Sequence, residues 1–422
     1  MQRVAITGVG LVTPLGLTAA ENVARSRVDE SGIGPARAFA VEGHAAQALA
    51  SVAGFDVEPF LRFPKNSKFM GRAVQFAMRA AHEAIAQSGI DPRKMDASRV
   101  GVQVGSGQTG VEYDHFFPSL IMAWDAGREM DYKYLGGLPS HLIDRYICLR
   151  TLANGGLALL STEFGIRGPN GNFAQKDTAS AQAVQAAYLD LLEDRCDVAV
   201  AGGYDSLATT GNFLAYEQAG LLSQADPAGA YRPFDERADG LVLGEGAGFL
   251  VLERWQHAVE RGATILGEFC GAGSAMGASQ EWRPAWTPEA ICQAAREALG
   301  DARPDFVVAA GMGTVEEDRA ESVALAAIAG MAGRRAPVTA FKSRTGYMGA
   351  GTAAVELGLG LLCARQGFVP AIARHTQAAA DGALDLVSGG PRALERNEPL
   401  GLFLSCSWGG AVAALGARAI RV

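Results

Sequence analysis

The 422 residues contain few cysteines, and Cys148, Cys196, Cys270, Cys292, Cys363 and Cys406 form no Cys-x-x-Cys pair. That spacing offers no zinc ribbon and no dithiol redox motif, and it fits thiols kept reduced. Basic side chains are in deficit, with 37 Lys and Arg against 45 Asp and Glu for a net charge of -8. A broad positive field for nucleic acid or an anionic membrane surface is therefore excluded, although local basic patches remain open. The apolar stretch from Val355 to Ala373 carries Glu356 and Arg365, charges that a membrane span would bury at high cost. At the start, strand-like Val4-Ala5-Ile6-Thr7 stands where a secretory leader would place a basic segment and an apolar run. The expectation is a cytoplasmic protein without a metal or other cofactor.

What is present is core material, since 49% of the residues are hydrophobic and 53 are glycine. Glycine-rich turns between short apolar runs suit a layered α/β protein better than a helical bundle. Strand-like runs fall at Arg3–Gly8, Val100–Gly105, Asp197–Gly202, Gly248–Glu253, Asp305–Ala310 and Pro337–Phe341, with a final pair at Leu400–Ser405 and Ala411–Ala417. Between Lys68 and Ser88, Phe69, Ala73, Phe76, Ala77, Ala80, Ala84 and Ile85 recur at helical spacing, and Gly89 ends the pattern. Small-residue runs at Thr178–Leu192 and Gly349–Cys363 predict two buried helices, each following a turn and leading into a strand. Their occurrence in opposite halves hints at internal duplication. No low-complexity linker intervenes, so halves 1–254 and 255–422 are expected in one compact body. A dinucleotide-binding reading of Gly8-Val9-Gly10 is weak, because Thr13 replaces the third glycine and no clear acidic ribose partner follows.

Four segments in order, GVGLVTPLG (8–16), RPFDERADGLVLGEGAG (232–248), KSRTGYMGAGTAAVE (342–356) and SCSWGG (405–410), resemble the β-ketoacyl synthase family. The resemblance spans nearly the whole chain. It implies a thiolase-like duplicated fold, layered α/β/α/β/α with two mixed five-stranded sheets, forming a dimer with its active site at the tips of two buried helices. Family chemistry needs a cysteine thiolate at a helix N-terminus to take the acyl chain. It also needs two neutral imidazoles to stabilise the enolate formed as malonyl thioester loses carbon dioxide. In GPNGNFAQKDTASAQAV, Asp177 stands where the cysteine belongs; Ala310 occupies the first histidine position and Tyr347 the second. A plainer role for Asp177 is to cap free N–H groups of the helix. Tyr347 is expected to fill the vacated pocket, its phenol, with an ordinary pKa of about 10, being no base at neutral pH. Lys342 and Glu356 match the retained structural pair, and Trp408 falls at the family's gating phenylalanine, or is simply a core tryptophan.

Retained scaffold with erased chemistry resembles the chain-length factor, or ketosynthase β subunit, of type II polyketide and aryl-polyene systems. The resemblance implies a catalytic ketosynthase as heterodimer partner, an acyl carrier protein as second partner, and a share in lining the acyl tunnel. In GSGQTGVEYDHFFPSLIMAW, from Gly105, Tyr113, Phe116 and Phe117 are candidate tunnel stoppers or interface packing, and His115 carries no assigned role. Arg62, Lys65, Lys68 and Arg72 form a basic run that either meets the acidic carrier or is a solvated face. Two alternatives stay open: an acyltransferase repurposed around Asp177, Tyr347 or Lys342, and a homodimeric acyl- or carrier-binding protein.

Overall fold

The computed structural model describes residues 2–107, 121–122, 124, 131–133, 146–277, 286–332, 335–379 and 384–421. The first strand, β1 (Val4–Val12), is buried at all nine positions, as expected of a strand covered on both faces. Against it packs α1 (Arg72–Ser88), which buries Val74, Phe76, Ala77, Ala80, Ala81, Ala84 and Ile85 and ends at left-handed Gly89. Gly8 and Gly10 explain the closeness of this packing. A Cβ added there would lie 2.0 Å from the Ala84 carbonyl oxygen and 1.9 Å from that of Ala80. The Gly-Val-Gly motif therefore serves contact between helix and strand backbones. The helix starts four residues later than its periodicity suggests. Pro64–Phe69 forms a separate 3-10 turn, and Phe69 packs edge-on against Tyr146 instead of joining the helix face.

The remaining strands that the first half gives to the large sheet are β2 (Val100–Ser106), β3 (Asn170–Phe173), β4 (Val198–Ser206) and β5 (Glu245–Arg254). The second half supplies β6 (Gly267–Met276), β7 (Phe306–Val308), β8 (Pro337–Thr339), β9 (Asp385–Leu386), β10 (Leu400–Cys406) and β11 (Ala411–Ala419). In space the first half runs β3-β2-β4-β5-β1 and the second runs β9-β8-β7-β10-β11-β6. Leaving aside the short edge strand β9, each half uses its own strands in the order third, second, fourth, fifth, first. Each also pairs them parallel, parallel, antiparallel, antiparallel. The repeat is legible in topology where residue identity was too low to prove it.

The two five-stranded sets are not separate sheets. Val4, Ala5 and Ile6 of β1 pair antiparallel with Phe269, Glu268 and Gly267 of β6, joining both sets into one mixed sheet of eleven strands. Two helices lie between the sets: α2 (Ala179–Leu192) packs on β2 and β4, and α5 (Thr352–Arg365) on β5, β10 and β11. Every residue of α5 from Thr352 to Ala364 is buried, which is why its sequence is apolar all round. Outside lie α1 on the first set and α3 (Pro288–Leu299) on the second, with α4 (Val315–Ala332) beside α3. This is the five-layered thiolase-like arrangement. Among the described residues no helix is long and apolar enough to cross a membrane.

Candidate functional site

The site forms where the N-terminal ends of α2 and α5 meet the segments leading into them. After β3 the chain passes through Lys176, held at the left-handed φ of 49°, and a 3-10 turn at Lys176–Thr178 runs directly into α2. Asp177 therefore sits inside the turn and not one residue before it. Its side chain does not cap the helix, contrary to the simplest reading of an acidic residue there. Instead Oδ2 accepts a 2.8 Å hydrogen bond from the Tyr347 hydroxyl, while Oδ1 has no partner. Asp177 and Tyr347 are 1% and 0% exposed. The positions expected to hold a nucleophile and a histidine thus carry two side chains bonded to each other.

Tyr347 is brought there by the turn Lys342–Thr345 and by Gly346 at φ 72°. Its backbone N–H donates to the Val242 carbonyl, and its carbonyl accepts from the Gly244 N–H, locking the residue against the strand approach to β5. Lys342, on the same turn, donates to Glu356 Oε1 at 3.0 Å and to the Ala310 carbonyl at 2.5 Å. Ala310 is held from its other side as well, its N–H and that of Gly311 donating to Glu321. The alanine therefore contributes backbone atoms to the network and no side-chain donor.

Burial governs the charges. It pushes the Asp177 carboxyl up to about 6, against the attraction of Lys342 and the Tyr347 hydrogen bond. Glu356 rises to about 7 for the same reason, despite Lys342. Burial pulls the Lys342 ammonium down, but Glu356 and Asp177 outweigh it and hold the group protonated. The Tyr347 phenol is driven well above its ordinary value by burial and by facing Asp177, so it stays a donor. With that hydroxyl committed to Asp177, nothing at the position can offer a free proton donor to a thioester carbonyl.

Three residues at the site escaped the sequence reading. Ser405 donates to the Asp177 carbonyl at 2.8 Å, tying the SCSWGG strand end to the turn. Tyr216 stands 6.0 Å from Tyr347 between ring centroids. Asp205, pushed up to about 7 by burial, accepts from the N–H groups of Ser206 and Ala350, the latter just before α5. Only Ser405 had a signal available, its place in a motif already singled out.

Trp408 is half-buried beside a turn containing Gly409 at φ 116° and Gly410 at φ 85°, and its Nε1 has no partner. Ser407 fastens this turn to the Gln175 carbonyl at 3.3 Å, so Trp408 lies one residue from a contact with the segment carrying Asp177. Arg62, Lys65 and Lys68 are exposed. Arg72 is exposed as well, and its guanidinium makes a two-pronged ion pair with buried Glu245, at 2.9 and 2.6 Å. Tyr113, His115, Phe116 and Phe117 lie outside the described residues.

A thiolase-like duplicated fold with a turn-to-helix elbow at the tips of paired central helices defines a condensing-enzyme scaffold. The Beta-ketoacyl synthase N-terminal domain matches residues 1–258 and the C-terminal domain residues 266–376, and the chain belongs to that family. A relative from Streptomyces glaucescens, the tetracenomycin polyketide synthase ketoacyl synthase beta subunit, is 32% identical over 93% of this chain and 92% of its own. A 3-oxoacyl-[acyl-carrier-protein] synthase 2 from Coxiella burnetii is 29% identical over 87% of each. Among solved structures, the ishigamide ketosynthase/chain length factor superposes over the full length of both chains with a TM-score of 0.85 at 25% identity. Relatives named as synthases and relatives named as β subunits both match, so the site residues must distinguish them.

Proposed function

We propose that this chain is a non-catalytic ketosynthase-like subunit of the chain-length-factor type. It pairs with a cysteine-bearing β-ketoacyl synthase in the cytoplasm and shapes the tunnel in which a carrier-bound polyketide, polyene or fatty-acyl chain grows. One observation carries this reading: the buried hydrogen bond between Asp177 and Tyr347 occupies the place of the expected nucleophile and one imidazole. Ala310 leaves the other imidazole position without a side-chain donor. Attack by a carboxylate on a thioester would give a mixed anhydride, a poor exchange for a thiolate adduct. The surviving parts, the Lys342–Glu356 pair and the Gly-rich packing, maintain shape.

The test is co-expression with a cysteine-bearing ketosynthase and assay of each chain with acyl and malonyl carrier protein. The expected result is a stable heterodimer that condenses, and a lone chain that neither condenses nor decarboxylates malonyl thioester. Condensation by the lone chain, with copurifying synthase excluded, would overturn the reading. A second reading, a repurposed acyltransferase, is favoured by the unpartnered Asp177 Oδ1 and a carboxyl titrating near 6. It requires acyl transfer by the lone chain that Asp177→Asn abolishes.

A further inference from the structure

Away from this site, a cavity of about 250 Å³ opens between the segment at Val28–Asp29, the Lys342–Thr345 turn and the loops at Ala371–Thr376 and Gly389–Pro391. Its lining contains two arginines, Arg344 and Arg374, and a single acidic side chain, Asp29, which is 74% exposed and pairs with Arg344 at 3.5 Å. Arg344 is 1% exposed and gives its N–H groups to the carbonyls of Ala371, Val28 and Glu30, so it contributes fixed charge more than free donors. Arg374 sits at a left-handed φ of 62° and donates to the carbonyls of Ala230 and Ile33, leaving other N–H groups uncommitted. Next to it, His375 is only 9% exposed, and apart from a loose approach to the Phe234 backbone neither ring nitrogen has a partner. The other carboxylate near it, Asp235, is already paired with Arg237 and the Thr376 N–H.

A buried imidazole without a well-formed hydrogen bond, beside two arginines that share one exposed carboxylate, costs stability unless something that accepts hydrogen bonds and carries negative charge is bound. We propose that this cavity is an anion site for a phosphate group, held by the charges of Arg344 and Arg374 and by a hydrogen bond from His375. Burial lowers the basicity of both arginines, and a neighbouring positive charge adds to this in each case, Arg374 acting on Arg344 and Arg232 on Arg374, against the attraction of Asp29. A dianion between them would relieve that repulsion. The Gly389–Gly390 turn keeps the opposite wall open: a Cβ at either glycine would meet nothing within 4 Å. At this volume the site takes inorganic phosphate or a small phosphomonoester and not a drug-sized ligand.

The experiment titrates the full chain with sodium phosphate at constant ionic strength against sodium chloride, read by calorimetry and by thermal unfolding. Phosphate is expected to bind one site and raise Tm, as a ligand of the folded state must. Asp29→Asn removes an exposed competing carboxylate and should tighten binding severalfold. Gly390→Asp places a carboxylate in the cavity without removing any hydrogen bond. It should weaken phosphate binding by about tenfold or more, as expected for like charge at close range, while Tm without phosphate stays near that of the parent. A parallel titration with glycerol 3-phosphate separates the sources, tighter binding assigning a monoester and equal binding the free ion. The proposal fails if chloride raises Tm as much as phosphate does, or if phosphate affinity is the same in both variants and the parent.

Discussion

At Asp177 a carboxyl group is sealed from water, and its burial ties the stability of the fold to pH. Its folded pKa of about 6 lies above the ordinary 3.8, so the folded chain binds this proton more tightly than the unfolded chain does. The resulting stabilisation is full below the unfolded pKa, declines as pH rises, and is lost once pH passes the folded pKa. Asp177→Asn should therefore match the parent near pH 4 and exceed it at pH 8 by up to roughly 3 kcal/mol, measured by urea unfolding. An equal difference at both pH values would show that ionisation at this position is not what burial opposes. Lys342 gives the converse case. Lys342→Met leaves Glu356 buried without its cation and should cost about 3–5 kcal/mol, part of it recovered by adding Glu356→Gln.

Among the elements, the contact of α1 with β1 is least tolerant of change. A methyl at Gly10 would overlap the Ala80 carbonyl oxygen at 1.9 Å, and neither backbone has room to move. Gly10→Ala is expected to cost about 3 kcal/mol or more in chemical denaturation, at the upper end for overpacking, whereas Gly34→Ala, in open space and without a positive φ, should show no clash. Much of this scale was legible in the sequence, because helical periodicity in 68–88 and the two small-residue runs are set by local burial. The late start of α1 was hidden, since Pro64 initiates a 3-10 turn that keeps Phe69 apolar for a different contact. The orientation of Asp177 was hidden too. Capping preference describes an isolated helix end, and here Tyr347, 170 positions away in sequence, supplies the partner. For the same reason the partner of Arg72 was hidden: its side chain stays 46% exposed on the surface run, yet its guanidinium pairs with buried Glu245 on β5.

For the whole molecule, the proposed partnership makes two demands that a lone chain cannot meet, a tunnel end and a place for the carrier. If Phe116 closes the tunnel, Phe116→Ala should lengthen the product of the heterodimer, read by mass spectrometry; unchanged products for Tyr113, Phe116 and Phe117 alike would remove that role. The carrier demand is electrostatic. A chain of net charge -8 repels an acidic protein at long range, so attraction has to come from a local patch within a Debye length of about 8 Å. Arg62, Lys65 and Lys68 are exposed on and beside one 3-10 turn, and Lys65 and Lys68 have no ion pair among the described residues. Reversing both lysines, Lys65→Glu with Lys68→Glu, should slow carrier association by about tenfold at low salt, with the difference shrinking as salt rises. Arg72→Ala should behave differently. It strips the partner from buried Glu245, so Tm falls, while the salt dependence of carrier association stays that of the parent. If the double reversal leaves association rates untouched at low salt, the basic turn is a solvated surface and the carrier docks elsewhere.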